Sequence, residues 1–186
     1  MIYRLATLNE TPAITDLINR SYRGDSSREG WTTEADLLYG KRIDEAGIMA
    51  LFKDPDSQIF IAQNEEKTII GTLHAHHQSE TIHFSLFAIE PTQQSNGIGK
   101  QLLVFAETES HRIWGSDTAI MEVISLRNEL INYYERRGYK RTGEINPFPL
   151  STLWTPYTDE LELIVLEKKL FPLPRQPPCH YAKIVL

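Results

Sequence analysis

An apolar run that reads as a strand, Phe84-Ser85-Leu86-Phe87-Ala88-Ile89, is followed within eight residues by Gln94-Ser95-Asn96-Gly97-Ile98-Gly99-Lys100 and then by an amphipathic segment. The segment from about Gly97 to Trp114 carries Ile98, Leu102, Phe105, Ala106 and Ile113 at helical spacing, and Gly115 suits its C-cap. A strand feeding a helix through a glycine-bearing turn fixes chain direction and handedness together. It also leaves the first amides of the helix without internal partners, at the positive end of the macrodipole. Glycines there let a phosphate approach the backbone, and Lys100 adds a point charge. A Rossmann turn would need a third glycine at position 102, which is Leu, and the Walker pattern is absent.

The surrounding pattern limits the fold. Ile2 to Ala6 reads as a short strand. Thr11-Pro12 starts a helix that runs through Ile14, Leu17, Ile18 and Tyr22 to Arg23-Gly24. Asp25 to Thr32 reads as a loop, and Thr33 with Asp36 predicts a short helix ending near Gly40. Asp44 to Phe52 reads as another helix, closed by Asp54-Pro55. Gln58–Gln63, Thr68–His77 and Thr81–Ile89 read as consecutive strands, and the long helix follows. Ala119–Ile124 is a buried strand, Arg127–Arg137 a helix, Tyr139–Gly143 a short strand and Glu160–Glu167 the last strand. Hairpin strands followed by a strand–helix–strand–helix unit imply a mixed α/β (α+β) architecture, with a central mixed β-sheet flanked by helices. One domain is expected over residues 1–170. Residues 171–186, with several prolines, form a tail of unassigned order.

Composition removes several classes. The 186 residues are 41% hydrophobic and 24% charged, ordinary for a globular domain, and no apolar run reaches the ~18 residues of a membrane helix. A net charge of −6 gives no reason to expect nucleic-acid binding. The lone Cys179 rules out an intramolecular disulfide, and with no signal-peptide layout at the N-terminus the cytoplasm is the default.

The turn resembles that of the GNAT (GCN5-related N-acetyltransferase) family: Gln94-x-x-Gly97-x-Gly99 is similar to its Q/R-x-x-G-x-G/A motif, and the Phe84–Pro91 stretch to its fourth strand. Asn128 to Tyr139 resembles its last helix, which usually ends Y-E-x-x-G-F/Y. The likeness spans about residues 2–168. It implies an acyl-CoA N-acyltransferase fold and acetyl-CoA as acyl donor. The pyrophosphate would lie against Gln94, Ser95, Asn96, Gly97, Ile98, Gly99 and Lys100, and the pantetheine arm beside Phe87, Ala88 and Ile89, like an added strand. It implies Tyr134 as general acid to the coenzyme sulfur, with Tyr133 pointing elsewhere. The family often has Asn seven residues before that tyrosine; this chain has Arg127 there and Asn128 one residue later.

The base and acceptor are less defined. Glu122, flanked by apolar strand residues, is a candidate general base or a paired surface carboxylate; Glu90 is a weaker candidate. His74 and His76 share a strand face, with His83 across from them, but no Cys or carboxylate completes a metal-ligand spacing, so no metal is expected. Ser85 and Ser125 lack triad context. By the resemblance, the acceptor is framed by Tyr22, Trp31, Glu34 and Asp36 on one side and Phe148, Trp154 and Tyr157 on the other. The leading expectation is acetyl transfer to a primary amine of a small molecule or peptide, with no membrane partner and with a homodimer left open. A GNAT-like sensor that binds acyl-CoA without turnover, or an unrelated nucleotide-binding protein, stands beside it.

Overall fold

The computed structural model describes residues 1–158 and 160–170. Cys179 and the 171–186 tail lie outside the described residues.

A seven-stranded sheet has the order β1-β3-β4-β5-β6-β9-β7, built from β1 (Ile2–Leu5), β3 (Ser57–Gln63), β4 (Ile69–Gln78), β5 (Thr81–Ile89), β6 (Thr118–Ile124), β9 (Glu162–Lys169) and β7 (Lys140–Pro147). Every neighbouring pair is antiparallel except β5 and β6. That exception follows from chain order, because α3 (Ile98–Trp114) lies between the two strands and returns the chain to the same edge.

Strand alternation divides the core. Ile59 and Ile61 of β3 pack with Ile14, Leu17 and Ile18 of α1 (Thr11–Tyr22) and Ile48 of α2 (Glu45–Lys53). Phe60 and Ala62 face the other way, toward Leu102, Leu103 and Ala106 of α3 and Ile131 and Tyr134 of α4 (Asn128–Glu135). A period of two thus gives one strand two apolar faces, each covered by helices. Asp44 caps α2 by accepting the Gly47 N–H at 2.8 Å, and Gly115 ends α3 in the left-handed region at φ 73°.

Three readings are corrected. Thr33 and Asp36 do not start a helix: residues 35–37 form a turn, and Leu38–Gly40 is strand β2, paired antiparallel with β8 (Trp154–Pro156). The Thr33 hydroxyl accepts the Ala35 N–H at 3.1 Å, a local turn rather than a cap, and Gly40 at φ 101° lies against the Leu153 carbonyl. The Asp25–Glu29 stretch, expected as loop, is a 3₁₀ helix entered through Gly24 at φ 69°. Strand β7 also runs four residues beyond its expected end, to Pro147.

The feature that makes the site is a divergence inside the sheet. β5 and β6 pair from Thr81–Thr118 to Phe84–Met121, and the pairing then stops. Between the pairs Thr72–Ala88 and His74–Ser85, Leu73 on β4 faces both Leu86 and Phe87 on β5. Leu86 takes φ 49°, a bulge conformation that bends the strand. Ser85–Ile89 and Glu122–Ile124 are left as two walls of an opening.

Candidate active site

Two cavities meet at this opening. The first, of about 340 Å³, lies over the turn and is lined by Trp31, Phe87, Ile89, Gln94, Gly97, Gly99 and Tyr133, among others. The second, of about 320 Å³, lies over the opposite mouth and includes Glu34, Arg42, His83, Glu122, Arg127 and Phe148. Tyr22, Phe87, Leu130 and Tyr134 line both.

The turn has the geometry its sequence promises. Gly97 is the N-cap of α3 at φ 78°, and no side chain caps the helix. The leading amides of α3 therefore keep no internal acceptor and face the cavity. Ser95 also has positive φ, 73°. A Cβ on Gly97 would meet nothing within 4 Å, so the backbone conformation itself demands glycine there. At Gly99 the reason is contact: a Cβ would stand 3.1 Å from the Tyr133 hydroxyl. The lining supplies Lys100, Arg136 and Arg137 and no carboxylate, which suits a polyanion such as a pyrophosphate.

Of the residues expected on the coenzyme side, Phe87, Ile89, Gln94, Ser95, Gly97, Gly99 and Lys100 line this cavity. Ala88 is buried on the α1 face, Ile98 sits in the α3 core and Asn96 is outside the lining. The Gln94 side chain points back rather than outward. It accepts the Trp31 N–H at 2.9 Å and donates to Thr32 Oγ1 at 2.9 Å and to the Ile89 carbonyl at 3.1 Å. This draws Trp31 to the first cavity, where its ring lies 5.2 Å from that of Tyr133. Tyr133 does not point elsewhere: it lines the same cavity, with the Arg137 guanidinium 3.2 Å from its ring centroid.

Tyr134 stands where the cavities join, 5% exposed, its ring 6.4 Å from that of Phe87 and edge-on to Tyr133 at 5.3 Å. Burial, and then the neighbouring Tyr22 and Tyr133, push its phenol well above the ordinary tyrosine range. It stays protonated at neutral pH. Tyr22 donates its hydroxyl to the Phe87 carbonyl at 2.7 Å, and burial pushes its phenol up to about 12.

On the acceptor side, Glu122 is exposed to the second cavity and accepts a hydrogen bond from Asn146 Nδ2 at 2.6 Å. Glu34 is not free: it pairs with Arg23 and with Arg127, the latter at 3.2 Å, all three side chains being 7–8% exposed. The position where the family often has Asn thus serves a buried ion cluster, and Asn128 is exposed outside both cavities. Glu90 is engaged by Arg20 at 2.7 Å. Trp154 backs the second cavity, packing on Phe148 at 6.5 Å and on Arg42 at 5.6 Å. The structure does not bring Asp36 or Tyr157 to it: Asp36 pairs with Arg28 on the surface, and Tyr157 is exposed.

The histidines have other work. His74 Nε2 bonds Ser57 Oγ at 2.7 Å and His74 Nδ1 bonds Ser85 Oγ at 2.8 Å, while His76 lies opposite His83 in the strand register. Burial, and then His76, lower His74 to about 4, so it is neutral at pH 7. Among the described residues no group of three or more His, Cys, Asp or Glu is placed to hold a metal ion, and no helix is long and apolar enough to cross a membrane.

Comparison with known proteins agrees with this geometry. Residues 55–141 match the family model described as acetyltransferase (GNAT) domain. No curated protein matches the sequence. Among solved structures, the ribosomal-protein-S18-alanine N-acetyltransferase from Escherichia coli superposes with a TM-score of 0.66 at 14% identity, covering 95% of this chain and 97% of its own. The ribosomal-protein-alanine N-acetyltransferase from Brucella melitensis gives 0.68 at 14% identity over 91% and 100%. The spermidine/spermine N-acetyltransferase SpeG from Vibrio cholerae gives 0.64 at 15% identity over 90% and 91%. The matched stretch runs from just before β3 through the turn to α4 and the first residues of β7, and this part of the chain is similar to a GNAT acetyltransferase domain.

Proposed function

We propose that this chain transfers an acetyl group from acetyl-CoA to a primary amine by direct attack. The observation that carries the proposal is Tyr134, a buried and protonated phenol on the wall shared by a carboxylate-free, cation-lined cavity and a second cavity that holds a carboxylate. Amides of the α3 N-terminus with Lys100, Arg136 and Arg137 would hold the coenzyme phosphates, and Phe87 and Ile89 would lie along the pantetheine arm.

Thioester aminolysis makes two proton demands. An alkyl ammonium, with a pKa of ~10.4, must lose a proton before its lone pair can attack. Glu122, directly or through water, takes that proton. As the nitrogen–carbon bond forms, the carbon–sulfur bond breaks and the electron pair leaves with sulfur; the second proton that the nitrogen sheds on becoming an amide passes through water to the departing thiolate. An alkyl thiol has a pKa of ~8.5, below that of the buried Tyr134, so full proton transfer from Tyr134 is uphill. Its hydroxyl acts as a hydrogen-bond donor that offsets charge as it develops on sulfur. We invoke no metal, and we place the reaction in the cytoplasm.

The test is thiol release from acetyl-CoA across a panel of primary amines, with a thermal shift by acetyl-CoA measured in parallel. Amine-dependent release together with a stabilising shift is expected. A shift with no release by any amine would make the protein a binder rather than an enzyme, and no shift would remove the reading altogether.

A further inference from the structure

The second cavity is strongly polarised. At one end Glu122 and Asn146 form an acceptor-rich patch on β6 and β7. At the other, Arg42 and Arg127 line the cavity with the single carboxylate of Glu34, which also pairs with Arg23 outside the lining. Glu34 is used up by Arg23 and Arg127. Arg42 has no carboxylate within ion-pair distance among the described residues; its guanidinium lies between two aromatic faces, 5.7 Å from the Tyr22 centroid and 5.6 Å from the Trp154 centroid.

Donors outnumber acceptors there in a second way. Arg42 Nε, on the cavity lining, is buried without a hydrogen-bond partner among the described residues, as are Arg23 Nε and Trp154 Nε1 outside the lining. Buried donors without acceptors are rare in folded proteins and point to a missing acceptor. Three cations against one anion state the same demand in charge. The coenzyme phosphates do not meet it, because the turn and its cations Lys100, Arg136 and Arg137 line the other cavity. A polycationic acceptor would be repelled by the same arginines.

Resting on the acetyl-transfer reading above, we propose that the acceptor is a zwitterion of the amino-acid class. Its carboxylate is bound by Arg42 and Arg127, and its amine is directed toward Glu122 and the mouth shared with Tyr134. A guanidinium held between Tyr22 and Trp154 is restrained before binding, and its forked N–H groups match a planar two-oxygen anion.

The experiment compares matched pairs, the common amino acids and their carboxamides, as acceptors at saturating acetyl-CoA. For the pair that is turned over, the acid is expected to exceed its carboxamide at least tenfold in kcat/KM. Arg42→Gln should erase that preference by raising the KM of the acid, with the KM for acetyl-CoA within twofold of the parent. Arg42→Lys, which keeps the charge, should retain part of the preference. If no member of the panel turns over, the CoA-bound protein is titrated with N-acetyl amino acids and their carboxamides, and Arg42-dependent preference for the acids is expected. Equal or better use of the carboxamides, or an Arg42→Gln variant that loses acid and carboxamide alike, overturns the proposal; so does a titration in which neither binds. An unchanged acetyl-CoA thermal shift in Arg42→Gln shows that the variant is folded. Failure of the parent to bind acetyl-CoA would instead sink the acetyltransferase reading and this inference with it, so the two failures are distinguishable.

Discussion

The side-chain carbonyl of Gln94 accepts the backbone N–H of Trp31 at 2.9 Å, joining residues 63 positions apart in the chain. The same side chain holds Thr32 and the end of β5. The first residue of the turn therefore fastens the Gly30–Thr32 segment at the first cavity, which Trp31, Thr32 and Gln94 all line. A Cβ on Gly30 would stand 2.7 Å from this amide, so the contact is tight as well as polar. Gln94→Ala removes three hydrogen bonds whose net worth is about 0.5–1.5 kcal/mol each. The expected result is an acetyl-CoA dissociation constant raised roughly tenfold, with a smaller change in turnover. Gly30→Val, which forces the segment away while leaving Gln94 intact, is expected to act in the same direction. Calorimetric titration of both variants with acetyl-CoA checks this.

Tyr134 makes no hydrogen bond through its hydroxyl among the described residues, although the side chain is buried. Removing that oxygen should cost little stability. Tyr134→Phe is expected to lower the single-turnover rate by about 10²-fold or more while changing acetyl-CoA affinity less than twofold. An unchanged chemical step would take Tyr134 out of the mechanism.

His74 gives a pH signature for stability. Its folded value is about 4 against 6.5 when free, so between those limits the unfolded chain holds a proton that the native protein does not. Stability contributed by neutral His74 is complete above pH ~6.5 and declines as pH falls toward ~4, with a limiting slope of about 1.4 kcal/mol per pH unit for one proton. Urea unfolding at pH 7, 6 and 5 should show this decline. In His74→Gln the slope should be shallower by that one-proton share, even where the variant is less stable at pH 7 for want of its bonds to Ser57 and Ser85.

Glu122 faces the second cavity beside Asn146, and its role as base is testable by rate against pH. Glu122→Gln should lower kcat/KM for the amine by about 10²-fold near neutrality and recover part of the loss at higher pH, where more of the amine is already neutral. A uniform loss at every pH would assign Glu122 to binding instead.

The turn and the helix it opens are legible in the sequence because their determinants are local. A strand end, two glycines and a helix start lie within a dozen residues, and the tyrosine of α4 is fixed by its own flanking pattern. The acceptor side was not, because it is assembled from distant segments. Arg127 meets Glu34 across 93 positions, and no periodicity marks either as a partner. Strands β2 and β8 are three residues each, too short to show alternation, and Leu38 to Gly40 was read as the end of a helix. Trp31 was expected beside the acceptor. The Gln94 amide places it by the Gly97 turn, and that long-range contact has no local signal. Tyr133 was set aside on helical geometry. Yet α4 starts at the open end of the sheet, so two successive residues reach the same cavity.

The central claim is that the α3 turn binds the pyrophosphate of acetyl-CoA, and calorimetric titration of the parent, Gly97→Asp and Gly99→Asp with acetyl-CoA tests it most directly. In Gly97→Asp the added carboxylate sits on a backbone at φ 78°, and in Gly99→Asp it enters the contact with Tyr133 and Phe87. The expected result is saturable one-to-one binding by the parent and none detectable by either variant, with circular dichroism showing all three folded. Acetyl-CoA binding by both folded variants at the parent's affinity would contradict the claim.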